Sequence, residues 1–431
     1  MSILTIAVGV VFALGILLSI ALHEVGHLVP AKRFGVRVSQ YMVGFGPTIW
    51  SKRKGDTEYG LKWIPLGGYI RMIGMFPPHP GRTDQRLRRA STGPFHSMVA
   101  DARRDVLEEL EPGDDNRVFY KLPVPKRLVI MLGGPVMNLV IAIVLFTFSL
   151  MVFGQLELTS KVGNVSTCVP ASAGAECQPG DAIKSPSPAV QAGIQRGDRL
   201  VSIDGRPVGS WEDLQGAIRA AGIDTAAIVV DRDGRQLTFE AELASVQRPN
   251  NEGTAVETVP FLGVGPTAEL VPQPITTVPG IIVSYTARTF GAVISVPERM
   301  VGVFQAAFGG QERDPNGPIG VVGATRIGAE LATIDAPVSY RVADFINLLA
   351  ALNLALFVFN LLPILPLDGG HVAGALWEGA RRRLARLRRR PDPGPFDAAR
   401  LLPVAYLVAM VFVGMSALLL YADLVNPIRL D

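Results

Sequence analysis

Two histidines and a glutamate stand together at the end of the first apolar stretch, as His23-Glu24-Val25-Gly26-His27. A helix advances about 100° per residue, so residues four apart project from one face a turn apart, and their imidazoles can grip one metal ion together. Glu24 is angled to take a proton from an attacking water rather than to ligate, which is what peptide hydrolysis asks of a general base. Two imidazoles and a carboxylate in an apolar helix cost on the order of 2–3 kcal/mol each unless something satisfies them. The plain competitor is a polar helix end satisfied at the membrane interface.

A hydrolytic metal usually takes three protein ligands and keeps one position open. The third candidate lies far along the chain, in Asn360-Leu361-Leu362-Pro363-Ile364-Leu365-Pro366-Leu367-Asp368-Gly369-Gly370, where Asp368 is the only acid. Prolines break the helix there, and broken backbone at membrane depth is tolerated only where it is buried in protein or lines a watery cavity. The break can fold Asn360 back toward the metal, where its amide would donate to the oxyanion of a tetrahedral intermediate. An interhelical hydrogen bond is the alternative for Asn360, as for Asn347 and Asn353. His371 reads as an outer partner of the site or as interfacial, and His79 and His96 as exposed loop histidines. Zn2+ suits two imidazoles and a carboxylate doing hydrolytic work, although ligand type alone leaves other divalent metals open.

The elements that must position these groups are apolar spans. Of 431 residues, 48% are apolar, and uncharged runs cover Ile3 to Leu22, Leu128 to Phe153, Phe345 to Leu367 and Leu401 to Ala422. Each is about long enough for a hydrocarbon core of roughly 30 Å, which makes the chain a polytopic α-helical membrane protein. The first run has no Lys or Arg before it and no small-residue cleavage site after it, so it is expected to stay in the mature protein. Lys32, Arg33 and Arg37 follow the first span, Lys121, Lys126 and Arg127 precede the second, and a dense arginine run at 381–390 separates the third from the fourth. By the positive-inside rule these segments are cytoplasmic, so both termini and the long stretch after the second span are expected outside. An outer location permits Cys168 and Cys177 to pair. A net charge of only +3 gives no footprint for nucleic acid.

Expected boundaries follow from these spans. Residues 1–31 hold the first helix, 32–125 a cytoplasmic loop with membrane-associated β-hairpins, 126–154 the second helix and 155–245 an extracytoplasmic β-rich domain. Residues 246–342 form an outer linker with one amphipathic helix at Ile275 to Gly310, 343–371 the third helix with Asp368, 372–400 an Arg-rich cytoplasmic loop, 401–422 the fourth helix and 423–431 a tail. The hairpin expectation rests on Gly44-Phe45-Gly46-Pro47 and Gly67-Gly68-Tyr69-Ile70-Arg71-Met72, where glycine-rich turns interrupt Val, Ile and Tyr runs. A second amphipathic helix is expected near Ser97 to Leu110.

Two resemblances sharpen this reading. Ser187 to Leu200, followed by Ile203-Asp204-Gly205 and Val208, resembles a PDZ domain of bacterial proteases. That implies a small barrel that either adds a peptide as an extra strand or sterically guards the membrane site. The HEVGH string, Gly133-Gly134-Pro135-Val136-Met137-Asn138 and Asn360 through Gly370 together resemble the site-2 protease family of intramembrane metalloproteases. The likeness extends to the bacterial branch with one PDZ domain, which cleaves anti-sigma factors and remnant signal peptides in the plasma membrane.

The family's zinc ligands then fall on His23, His27 and Asp368, its base on Glu24 and its substrate-orienting asparagine on Asn360. Its membrane-dipping hairpin falls near Gly67, Gly68 and Tyr69, where an unwound single-span substrate would pair as a strand. Gly133, Gly134 and Asn138 read as close helix packing beside the site. The competing readings are an inactive membrane PDZ scaffold, a transporter with an incidental metal site, and a membrane quality-control metalloprotease. The complete ligand set, the lack of repeated spans and the Asp-Gly-Gly segment speak against them in turn.

Overall fold

In the computed structural model the described residues are 3–77, 111–170, 177, 185–249, 256–310, 313–314, 317–330 and 336–428. His79, His96 and the helix expected near Ser97 to Leu110 lie outside them. The chain opens with α1 (Ile3–Arg33), β1 (Val38–Lys54), β2 (Thr57–Met72) and α2 (Val124–Val152). There follow β3 (Gln155–Val165), α3 (Pro188–Ala192), β4 (Arg199–Ile203), β5 (Arg206–Pro207), α4 (Trp211–Ala221), β6 (Thr225–Arg232), β7 (Arg235–Glu242), β8 (Ala244–Pro249), β9 (Val256–Phe261) and β10 (Val264–Val271). It closes with α5 (Val278–Ile294), α6 (Val296–Phe308), α7 (Val321–Glu330), α8 (Val338–Asn360), α9 (Asp368–Leu387) and α10 (Leu402–Val425). Two compact units result, one from Met1–Val152 with Pro274–Asp431 and one from Phe153–Gln273.

In the first unit, four helices are long and apolar enough to cross a membrane: Ile6–Arg33, Val124–Val152, Val338–Asn360 and Ala398–Val425. Ala142, Phe146 and Leu150 of α2 pack with Ala350 and Leu354 of α8. Val278 and Ile282 of α5 complete that cluster, so the segment expected as one amphipathic helix is two helices, the first of them packed against α2 and α8. Its interrupting charges allow this because Arg288 is accommodated over the Tyr285 ring and Glu298 and Arg299 fall on α6. The third span also ends earlier than expected. α8 stops at Asn360, and Asp368 opens a separate helix, α9, through much of the Arg-rich segment.

β1 and β2 are long, bent strands. Met42 pairs with both Tyr69 and Gly60, so the sheet is folded on itself, and the stretch Gly68–Met72 pairs only with Val38–Val43 among the described residues. The other edge of that stretch turns toward α1, to which Tyr41 is also tied by a 2.8 Å hydrogen bond to the Ala21 carbonyl.

The second unit is a β domain with sheet order β10-β3-β4-β6-β7 and a separate β8–β9 pair. Leu200, Ile203, Leu214, Ile228 and Val230 fill its core. Ser187 caps α3 by accepting from the Val190 N–H, and Gly193 ends the helix in the left-handed region. Asp204 (φ 47°) and Gly205 (φ 74°) make the tight turn between β4 and β5, both residues carrying the positive φ that such a turn needs. Cys168 and Cys177 form a disulfide with a Cα separation of 5.9 Å. The unit reaches Gln273 rather than 245 because β10 pairs along β3 from Val264↔Val165 to Val271↔Gln155.

Candidate active site

His23 and His27 lie one turn apart on α1, and the loop after α8 returns Asp368 to them. Within that loop Leu367 N–H bonds to the Ile364 carbonyl at 3.0 Å and Gly370 N–H to Leu367 at 3.0 Å, which folds the break back on the start of α9. A side chain at Gly370 would meet the Leu365 nitrogen at 2.6 Å, so the second glycine of Asp-Gly-Gly is what lets the two segments touch.

The donor atoms form a near-equilateral triangle. His23 Nε2 and His27 Nε2 are 3.2 Å apart, and Asp368 Oδ2 lies 3.3 Å from each. Donors about 2.0–2.1 Å from a tetrahedral ion lie roughly 3.3 Å from one another. Asp368 Oδ2 is buried and forms no hydrogen bond among the described residues, a costly state unless a cation completes it. No other set of three such groups among the described residues meets the same condition. Two imidazole nitrogens and a carboxylate oxygen at this spacing fit one divalent zinc ion.

The outer contacts of the histidines favour the same chemistry. His27 Nδ1 donates to the Ile130 carbonyl at 2.7 Å, which puts the proton on Nδ1 and leaves Nε2 a free lone pair. His23 Nδ1 faces the side-chain amide of Asn138 at 3.1 Å. With Nδ2 toward the ring, Asn138 Oδ1 is left buried without a partner; with the amide turned over, Nδ1–H donates to Oδ1 and Nε2 is freed for a metal. Asn138, read from sequence as packing, is therefore also a partner of His23. Its signal was the one polar side chain between Leu128 and Phe146, one turn beyond Gly134.

Close helix packing makes these contacts reachable. Gly26 of α1 sits against the Gly133 backbone, and a Cβ on Gly134 would come within 2.7 Å of His23 Nε2. Glu24 is 8% exposed, beside the triangle, with β2 at Ile70 close to its carboxylate. Gly68 lies against Glu24 as well: a Cβ there would be 3.0 Å from Glu24 Cγ. Gly67 (φ 132°) turns the chain into that part of β2, and the Tyr69 ring stacks on Phe45. Asn360 is the last residue of α8, partly exposed, and its side chain makes no hydrogen bond among the described residues. His371, three residues into α9, is not one of the triangle's donors.

The family model of peptidase family M50 matches residues 11–390. The chain belongs to peptidase family M50. Two relatives are the "Zinc metalloprotease Rip1" of Mycobacterium tuberculosis, 37% identical over 98% of each chain, and that of Mycolicibacterium smegmatis, 35% identical over 98% of each. The "Metalloprotease MmpA" of Caulobacter vibrioides is 27% identical over 89% of each. As a member of M50, the site-2 proteases, the protein is a zinc metalloprotease, and its four apolar helices make it an intramembrane, multi-pass enzyme of that family.

Proposed function

We propose that the protein hydrolyses a peptide bond within the transmembrane segment of single-span substrates, with Zn2+ held by His23, His27 and Asp368. The observation that carries this is the triangle of donors, 3.2–3.3 Å on a side, with the buried Glu24 beside it. Zinc, when bound, supplies the Lewis acidity that makes water a nucleophile at neutral pH and polarises the scissile carbonyl. Glu24 takes the proton of the attacking water and delivers it to the leaving nitrogen as the C–N bond breaks. Asn360, at the mouth of the broken segment, donates to the developing oxyanion.

Substrate positioning falls to β2. Gly68 and Tyr69 pair with β1 on one side only among the described residues, so an unwound substrate can add along the other side, next to Gly67 and Glu24, as a further strand. Extended backbone is what hydrolysis needs, because a helical carbonyl is shielded by its own hydrogen bond.

The remaining assignments belong to the same proposal. The β domain is a PDZ domain, on the strength of the Ser187 to Val208 string, and either takes a peptide or excludes bulky substrates. Arginine-bearing α9 and the basic residues after α1 face the cytoplasm of a bacterial plasma membrane, with both termini outside. Substrates are membrane-anchored proteins such as anti-sigma factors or remnant signal peptides, cut after their ectodomains have been removed.

The test is to purify wild type and Glu24→Gln in detergent, measure bound zinc in each, and assay both on a single-span substrate lacking its ectodomain. Zinc in both, with cleavage only by the wild type, is the expected result. Undiminished cleavage by the variant removes Glu24 as the base.

A further inference from the structure

The face of α9 opposite the active site is built like a helix lying in a membrane surface. One side is packed: Gly374, Ala375 and Glu378 are buried, and Glu378 bonds to Arg127 of α2 and to the Phe396 N–H. The other side carries Leu376, Trp377, Leu384 and Leu387 at helical spacing, with Trp377 59% and Leu387 76% exposed. At about 100° per residue, Arg381 and Arg388 flank one border of this stripe and Arg383 the other. All three are exposed, and none pairs with a carboxylate among the described residues, unlike Arg382, which reaches Glu378 and Asp392.

A groove continues the stripe. It has a volume of about 420 Å³ and is lined by Ile364, Leu365, Ala373, Trp377, Phe396 and Val404, all apolar. Because α9 lies between two candidate spans, α8 and α10, the chain's own connectivity holds it at a membrane face.

We propose that this surface is a binding site for an anionic phospholipid, its phosphodiester on Arg381, Arg383 and Arg388 and an acyl chain in the groove beside Trp377. Guanidinium groups suit phosphate, tryptophan favours the interfacial zone, and basic residues bordering an apolar stripe mark a helix seated on an anionic bilayer. Lipid at this site would hold α9, whose first residue is Asp368. The inference rests on the membrane character of the chain, not on its catalysis.

Two measurements on the full-length protein test it. Native mass spectrometry would count phosphatidylglycerol and phosphatidylcholine retained by wild type, by the triple variant R381Q/R383Q/R388Q and by the corresponding Lys triple. The expected result is a preference for phosphatidylglycerol that falls about tenfold in the Gln triple and survives in the Lys triple. In vesicles of brominated phosphatidylcholine with phosphatidylglycerol, wild type should be quenched more than Trp377→Phe, the difference being the contribution of Trp377. Equal lipid retention by wild type and the Gln triple would overturn the proposal. So would an absence of Trp377 quenching, including the case in which the stripe is covered by a second copy and the mass doubles.

Discussion

The side chain of Asn138 on α2 reaches His23 Nδ1 at 3.1 Å, across 115 positions of sequence. With the amide turned so that Oδ1 faces the ring, Nδ1–H of His23 donates to it and Nε2 is the nitrogen left for the proposed zinc. Partners of this kind are worth about 10–100-fold in metal affinity. Asn138→Leu, similar in size but unable to accept, should weaken zinc by that factor while Asn138→Asp holds it nearer to wild type. Competition with a graded chelator reads the affinity directly.

Gly134 gives a steric counterpart. A methyl group there would press on both imidazoles, coming within 2.7 Å of His23 Nε2. Gly134→Ala should therefore lose most of its bound zinc and its cleavage activity together, with helix content unchanged by circular dichroism. Full zinc occupancy in the purified variant would show that α1 and α2 can move apart enough to absorb the methyl.

How much of this was legible beforehand follows from the range of each contact. His23, Glu24 and His27 could be read because a four-residue spacing on a helix fixes their relation locally. Asp368 could be read because two prolines and two glycines mark a break beside a lone acid. Ile130, whose carbonyl orients His27, has no side-chain signal at all, since any residue offers that carbonyl. The partnership of Asn138 depends on how α1 crosses α2, which composition does not specify. Val264–Val271 read as linker rather than strand because β10 finds its partner, β3, more than a hundred positions earlier. The arginines of α9 read as a topology signal, and that reading concealed the helix whose first residue is Asp368.

Arg127 and Glu378 tie α9 to α2. Both are buried, 4% and 1% exposed, with Arg127 donating to Glu378 Oε1 at 2.5 Å. Removing one member of such a pair strands the other and costs about 3–5 kcal/mol, near the lower end here because Arg382 also reaches Glu378 at 3.2 Å. Arg127→Met should lower the thermal midpoint in detergent accordingly, and adding Glu378→Met should recover part of the loss. Strict additivity of the two substitutions would argue that the pair does not couple.

In the β domain, the Asp198 carboxylate is buried against Arg232, with Nε to Oδ1 at 2.7 Å and Nη2 to Oδ2 at 2.7 Å. Burial alone would raise its pKa, but the Arg232 hydrogen bonds, the Gln195 N–H and the guanidinium charge together outweigh it and hold the group below the ordinary aspartate range. A carboxylate whose folded pKa is depressed contributes stability that is fully present above its unfolded value, about 3.9, and is lost as pH falls through the folded one. Core amides of β4 and β6 should therefore keep their hydrogen-exchange protection from neutral pH down to about 4 as far as this group is concerned, and lose part of it below. Asp198→Asn should be less protected at neutral pH and should show a smaller loss on acidification. Parallel pH profiles for the two proteins, after correction for intrinsic exchange rates, would mean that the pair carries no such linkage.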